Sequence, residues 1–323
     1  MSTSIPDVPE MARVFPAGPK NLFALSLQPF CVDALSHALI TYILFSAGGQ
    51  NHLIPFAILG AVIMDADILF SWISDRIPSL YLFTHGGITH SIAGAVVVSL
   101  LAYFTVILLS AAGVISAGAV AAAGVFGFAA VLAGALLHIA IDVSAIPGIP
   151  VLAPFSDKKY SLGILPGPSL LLFIAAFVLV MEVALSMTTF SSAIELYGIV
   201  VIIYITVRAG MFLAVGIQLP GRKIPSGNPL RWLVILEDAT AYRIRTYTLF
   251  REYSDEAVIE KFKNTDAREV FDVAQYPEVR RFLFFSYTVT AERNGPVLML
   301  ADPLRERGLL SYPSKYKRIE VKI

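Results

Sequence analysis

The chain has 323 residues, 56% of them hydrophobic and only 15% charged, with 24 basic residues balanced by 24 acidic ones; its mean hydropathy is +0.72. Soluble domains carry about 25% charged residues, so the composition excludes an ordinary water-soluble protein, and zero net charge gives no sign of a nucleic-acid partner. A single cysteine, Cys31, excludes an internal disulfide.

Residues 1–20, "MSTSIPDVPEMARVFPAGPK", are polar and proline-rich, without the basic start and apolar core of a cleaved signal peptide. Six candidate spans follow, at 28–47, 53–73, 89–111, 117–143, 168–189 and 195–219, judged against the roughly 20 apolar residues a spanning helix needs. Small residues in "AGAVAAAGVFGFAAVLAGA" suit close helix contact within a membrane bundle. The stretch "QLPGRKIPSGNPLR", 218–231, then breaks the apolar pattern with Pro, Gly and a basic pair. Beyond it the character changes: 32 of the 48 charged residues lie in the last 102. The expected fold is an all-α polytopic membrane bundle of about six transmembrane helices over 21–220, followed by a small α+β soluble domain over 221–323.

In that tail "RWLVILED" and "AYRIRTYTLF" read as strands, and "SDEAVIEKFKN", with a Ser cap and an acidic first turn, as a helix. "FFSYTVTAERNGPVLMLAD" reads as two strands around Asn294-Gly295, a strong hairpin signal. Basic residues set the orientation. Arg13, Lys20, Arg76, Lys158, Lys159, Arg222 and Lys223 all fall on the N-terminal side, whereas the far-side loops near 47–53, 111–117 and 189–195 contain no Lys or Arg. Both termini are therefore expected in the cytoplasm.

On this topology the histidines and aspartates gather at one level. His37 lies in the opening turns of the first span, and Asp65 and Asp67 of "MDAD" lie late in the second. His85 falls in the following cytoplasmic loop and His90 in the first turn of the third span. His138 and Asp142 of "HIAID" end the fourth. His138 and Asp142, four residues apart, share a helix face. Asp33 has the same spacing to His37, as a carboxylate orienting an imidazole would. Asp65 and Asp67 diverge by about 200° on an ideal helix, so both face inward only if the helix changes there. Thr89 is placed to cap the third span, with Ser91 beside it. An aspartate at the centre of a membrane helix costs about 2.5–3.5 kcal/mol, so such residues usually face a cavity and serve function. Four His and three Asp suit a divalent Zn, Mn or Fe ion. Seven ligands exceed what one tetrahedral ion needs, and a centre of two ions would use them all. His52 falls on the far side and is set apart. Glu182 and Arg208, about 20 Å and 17 Å deep by helical rise, are expected to pair and tie the last two spans together.

"SHA" at 36–38, "MDAD" at 64–67, "HGGITHS" at 85–91, "HIAID" at 138–142 and "PFS" at 154–156 together resemble the family of membrane-bound, LexA-regulated metal-dependent hydrolases (YdjM-type). The tail around "ADPLRERG" is similar to the soluble extension of its YfhP-like members. The resemblance implies metal-dependent hydrolysis without naming a substrate. Met64 stands where that family usually has proline and Gly86 where it has arginine. If that arginine clamps a substrate anion, Arg76, Lys158 and Lys159 are the nearest replacements. The leading expectation is an integral-membrane hydrolase at the cytoplasmic face of the cell membrane, with Asp67 or Asp65 as base toward an ester or phosphoester of a lipid-like substrate. The alternatives from other classes are a metal-ion transporter or sensor, and a membrane anchor with a partner-binding tail.

Overall fold

A computed structural model describes residues 31–167, 169–249, 256–310 and 316–323, the side chains of 31–33 and 218 lying outside that description. The polar segment 1–20 also lies outside the described residues. Seven α-helices come first: α1 Cys31–Ala47, α2 Ile54–Ile63, α3 Ser71–Arg76, α4 Ile92–Ala111, α5 Ala117–Val143, α6 Leu170–Ala184 and α7 Phe190–Gln218. Among the described residues four helical stretches are long and apolar enough to cross a membrane: Asn51–Arg76, Ile92–Ala111, Ala117–Val143 and Phe190–Ile217. Ala34–Ala47 and Leu170–Ala184 are apolar but shorter.

The second expected span is not one continuous α-helix. After α2 the chain tightens into a 3-10 stretch, Met64–Phe70, before α3 resumes. The expected fifth and sixth spans also shift. Ser186 turns the chain with a φ of 57, and the Thr189 hydroxyl accepts the N–H of Ser192 at 3.2 Å, which starts α7 at Phe190 instead of 195.

The centre of the bundle is the contact of α2 with α5, made by residues with almost no side chain. A Cβ built on Gly60 would stand 1.8 Å from the Val131 carbonyl oxygen, and one on Gly134 1.9 Å from that of Ala57. The two backbones therefore touch, as small residues allow in membrane bundles. Around that seam pack Leu53, Phe56, Ala57, Ala102, Val106, Ala123, Ala130 and Val131. Below it, Met64 is fully buried with Ala95, Ala135, Ile139 and Ile149. A second cluster joins α1, α6 and α7 through Leu39, Leu172, Ala176, Leu179, Ala193, Tyr197 and Val201.

Helix α4 begins with a side-chain cap, and the cap is Ser91. Its hydroxyl accepts the Gly94 N–H at 2.9 Å and donates to the Ile88 carbonyl at 2.7 Å. Thr89, the expected cap, lies instead in a 3-10 turn, Ile88–His90, ahead of the helix. Ser91→Ala is expected to cost about 1 kcal/mol of stability, read as a lower thermal midpoint in detergent.

The described residues divide into two compact units. Leu236–Ile244 and Glu256–Ile323 form one; the other runs from α1 to Ile235 with the described part of Arg245–Asp255. The tail contains two four-stranded sheets, β1-β2-β3-β4 and β5-β6-β7-β8. The strands are β1 Arg222–Pro225, β2 Arg231–Glu237, β3 Ala241–Thr248, β4 Ala257–Glu260, β5 Phe262–Lys263, β6 Thr290–Asn294, β7 Val297–Ala301 and β8 Arg318–Lys322. The expected hairpin forms, but its turn falls one residue later: Asn294 already pairs with Val297, so the two-residue turn is Gly295-Pro296, with Gly295 at a φ of 61 in the first turn position that favours glycine. The helix expected over "SDEAVIEKFKN" does not form: Ala257–Glu260 is a strand, paired antiparallel with β3 from Ala241↔Glu260 to Ile244↔Ala257. Adjacent Val258 and Ile259 favour the pleated surface, and pairing with β3 outweighs the local capping signal. Two helices, α8 Ala267–Val273 and α9 Pro277–Phe285, follow it; Asp266 caps the first and Pro277 opens the second. A short helix, α10 Pro303–Glu306, follows β7, capped by the buried Asp302.

Candidate metal centre

The break in the second span positions both aspartates. Two residues apart on an α-helix point about 160° from each other, but about 120° apart on a 3-10 helix. The 3-10 stretch thus turns Asp65 and Asp67 to one side, where three groups of donors converge: His37, His138 and Asp142; Asp65, His90 and His138; Asp67, His85 and His90. All seven side chains singled out in the sequence meet in this one connected cluster. They come from α1, the 3-10 stretch, the loop 81–87, the turn before α4, and the last turns of α5.

Its centre has a definite shape. His138 Nε2 lies 3.1 Å from His90 Nε2, 3.3 Å from Asp142 Oδ2 and 3.4 Å from Asp65 Oδ1. His90 Nε2 lies 3.4 Å from Asp142 Oδ2 and 3.7 Å from Asp65 Oδ1. Metal–donor bonds of about 2.0–2.2 Å in a tetrahedral zinc site put donors about 3.3–3.6 Å apart. Five edges of this four-donor figure therefore lie close to the edge of such a coordination shell.

The surroundings hold the imidazoles with their Nε2 atoms inward. His138 Nδ1 lies 2.6 Å from the Ala61 carbonyl, an acceptor in the last turn of α2, where helix carbonyls lack helical partners. His90 Nδ1 lies 3.0 Å from Asp67 Oδ2. Each imidazole thus has a second partner of the kind that orients a metal-binding histidine. Thr89 serves the same carboxylate: its hydroxyl donates to Asp67 Oδ2 and sits 3.1 Å from His90 Nδ1. His85 Nδ1 lies 2.8 Å from Asp67 Oδ1 and 3.9 Å from Asp65 Oδ1. On the other flank His37 Nε2 lies 3.5 Å from Asp142 Oδ1, and its ring stacks on His138 at 3.9 Å. The second oxygen of Asp65 is buried and has no hydrogen-bond partner. A buried carboxylate oxygen left so is costly, and a cation or an ordered water would satisfy it.

Some expected residues lie elsewhere. His52 is exposed, in the turn at the opposite end of α2. Asp33 is in the first turn of α1, its side chain outside the described residues. Ser91 acts as the α4 cap. Arg76 is exposed with its guanidinium over Trp72 at 5.2 Å, and Lys158 is exposed over Tyr160 at 5.6 Å; Lys159 is half-buried on the same loop. Gly86 has a φ of +70, a left-handed conformation that favours glycine, so its place in "HGGITHS" suits the turn before His90. What the sequence did not suggest is the Ala61 carbonyl, since main-chain acceptors have no residue signature. Glu182 and Arg208 do not form the expected pair: Arg208 donates instead to the Ser226 carbonyl.

Asp67→Asn keeps the size of the side chain but weakens its hold on His90. It is expected to lower divalent-metal affinity about 10–100-fold, measured by competition with a chromogenic chelator.

A helical membrane region, an α+β tail with two small sheets and a buried His/Asp cluster with metal-ligand spacing define the class: a membrane-embedded protein built around a polar centre. The chain matches the YdjM inner membrane protein family over residues 32–215, more than half its length, and it belongs to that family. No curated protein and no solved structure matches it.

Proposed function

We propose that this protein is a metal-dependent hydrolase acting at the cytoplasmic face of the membrane on an ester or phosphoester of a lipid-like substrate. The observation that carries the reading is the four-donor figure of His90, His138, Asp65 and Asp142, whose edges of 3.1–3.7 Å suit one divalent ion, Zn, Mn or Fe. His37 and the other Asp142 oxygen on one side, and His85 with Asp67 on the other, offer donors to a second ion beside it.

A divalent ion in such a site supplies Lewis acidity and activates water near neutral pH. The chain's own residues do the rest. Asp67 and the Ala61 carbonyl orient His90 and His138. Because Asp67 is engaged by His85, His90 and Thr89, it is better suited to orientation than to acting as the base. His85 is the one imidazole of the cluster with an appreciably exposed side chain, at 18% against 2% or less for the others. Held by Asp67, it is placed to carry a proton between the site and solvent. Met64 and its apolar neighbours close the inner side against water.

The setting supports an amphiphilic substrate. Leu69, Trp72 and Phe155 are 69%, 57% and 91% exposed, in the segments that flank the cluster. Large apolar side chains left bare there suit a membrane interface, where Trp and its like collect. The basic residues Arg76, Lys158 and Lys159 lie on the same segments as candidates for a substrate anion. The loop charges favour both termini in the cytoplasm, and the packing of α1 and α6 on α7 supports two short crossings beside the four long ones.

The test is hydrolysis of a long-chain acyl ester and of a phosphodiester lipid by the purified protein in mixed micelles. Turnover of one of them that stops with a chelator, returns with added metal and is absent in Asp65→Asn is expected. Flux of the metal across proteoliposomes without hydrolysis of either would replace this reading with transport.

A further inference from the structure

Arg208 sits on α7 with no solvent exposure, and an arginine keeps its charge in essentially any protein environment. Its Nη2 donates to the Ser226 carbonyl at 3.2 Å, and its guanidinium lies 5.5 Å from the Trp232 ring centroid. Nε and Nη1 have no hydrogen-bond partner, and neither does the Trp232 indole Nε1, although Trp232 is also fully buried. Among the described residues these two neighbouring side chains thus present unused, buried N–H donors, and the Arg208 charge faces the Trp232 ring and a neutral carbonyl with no carboxylate paired to it. A buried cation without a counter-charge is strongly unfavourable. What is missing is an acceptor with negative charge.

The position says where it comes from. From Phe190 to Arg208 helix α7 rises about 27 Å, close to the roughly 30 Å thickness of a bilayer's hydrocarbon core. Past that point one face of α7, carrying Met211, Val215 and Leu219, packs on Trp232 and Val234 of β2, while Leu213 and Ile217 stay exposed. By rise alone Arg208 lies near the far edge of the apolar layer, within reach of lipid phosphates. Lys223, whose ammonium donates to the Gly216 carbonyl at 3.1 Å, and exposed Arg231 add positive charge on the same segment, and basic juxtamembrane residues attract anionic lipid. Gly227, beside Ser226, has open space where a Cβ would stand. A planar guanidinium is suited to bidentate contact with phosphate.

We propose that Arg208 and the Trp232 indole form a seat for a phosphate group, filled in the membrane by the headgroup of a phospholipid. This site is separate from the His/Asp cluster and does not depend on its chemistry.

The chain has two tryptophans, so Trp72→Phe leaves Trp232 as the reporter in the full-length protein. In an uncharged detergent, phosphatidylglycerol is expected to change Trp232 emission saturably, while diacylglycerol with the same tails leaves it unchanged. Arg208→Gln in that background should weaken the response at least tenfold. A saturable change with inorganic phosphate alone would uphold the seat and assign it to a soluble anion. No change with either phosphate source, an equal change with diacylglycerol, or an undiminished response in Arg208→Gln would overturn the proposal. If Arg208→Gln does not yield folded protein, Trp232→Phe keeps the ring and removes the donor. Native mass spectrometry should then show less retained phospholipid than in wild type, and unchanged retention would equally overturn it.

Discussion

His138→Ala will leave the purified protein without its divalent cation. His138 Nε2 is a corner of the four-donor figure, 3.1–3.4 Å from the other three donors, and its Nδ1 is held by the Ala61 carbonyl. Alanine removes a donor and leaves Asp65, Asp142 and His90 facing one another without it. The loss of affinity should exceed the roughly 10–100-fold expected for a residue that only orients a ligand. Elemental analysis should show metal in wild type and in His52→Ala, whose side chain is exposed at the other end of α2, and little in His138→Ala or His90→Ala. Stability follows the same pattern. An ion present at a thousand times its dissociation constant stabilises by about 4 kcal/mol, so chelation should lower the thermal midpoint of wild type and leave that of His138→Ala where it was. A wild-type complement of metal in His138→Ala would remove that residue from the centre.

Gly134→Leu will separate α2 from α5 and take the centre apart without touching any of its donors. A single Cβ at 134 would already stand 1.9 Å from the Ala57 oxygen and 2.8 Å from its carbonyl carbon, and backbone cannot rotate away as a side chain can. Overpacking costs about 1–3 kcal/mol when side chains yield; here the two helices must part, so the cost should lie at or above the top of that range. The seam carries Ala61 and the start of the 3-10 stretch on one side and His138 on the other, so metal should be lost together with stability. Gly210→Leu, on an outer stretch of α7 with open space at its Cβ, is the matched control and should keep both. Equal midpoints and metal contents for the two variants would show that the seam does not hold the site.

The convergence of the cluster was legible because it depends on topology more than on detail. Polar side chains are costly inside apolar spans, so their positions along the chain report which helix ends share a level. Helix α5 covers 117–143, the range expected, although Gly124, with a φ of 49, breaks its helical backbone; a Ser cap at 116 opens it and Pro147-Gly148 lie just beyond its end. The 3-10 conformation that lets Asp65 and Asp67 act together is not legible in the sequence, because a change from α to 3-10 pitch leaves little mark in composition. The same holds for the cap of α4. Thr89 and Ser91 are both good caps, and the demand of Asp67 for a donor decides between them. In the tail, pairing with β3 outweighed a Ser cap and acidic turn. Depth along two helices puts Glu182 and Arg208 near one level, but the sequence does not carry the direction of each side chain, and Arg208 turns to the Ser226 carbonyl instead.

X-ray absorption at the metal edge of the purified wild-type protein tests the central claim most directly. The account predicts a bound divalent ion with about four nitrogen and oxygen neighbours near 2.0–2.2 Å and the multiple-scattering signature of two imidazoles. Protein that takes up no ion when supplied with zinc, manganese or iron(II), or an ion whose spectrum shows no imidazole, would contradict it.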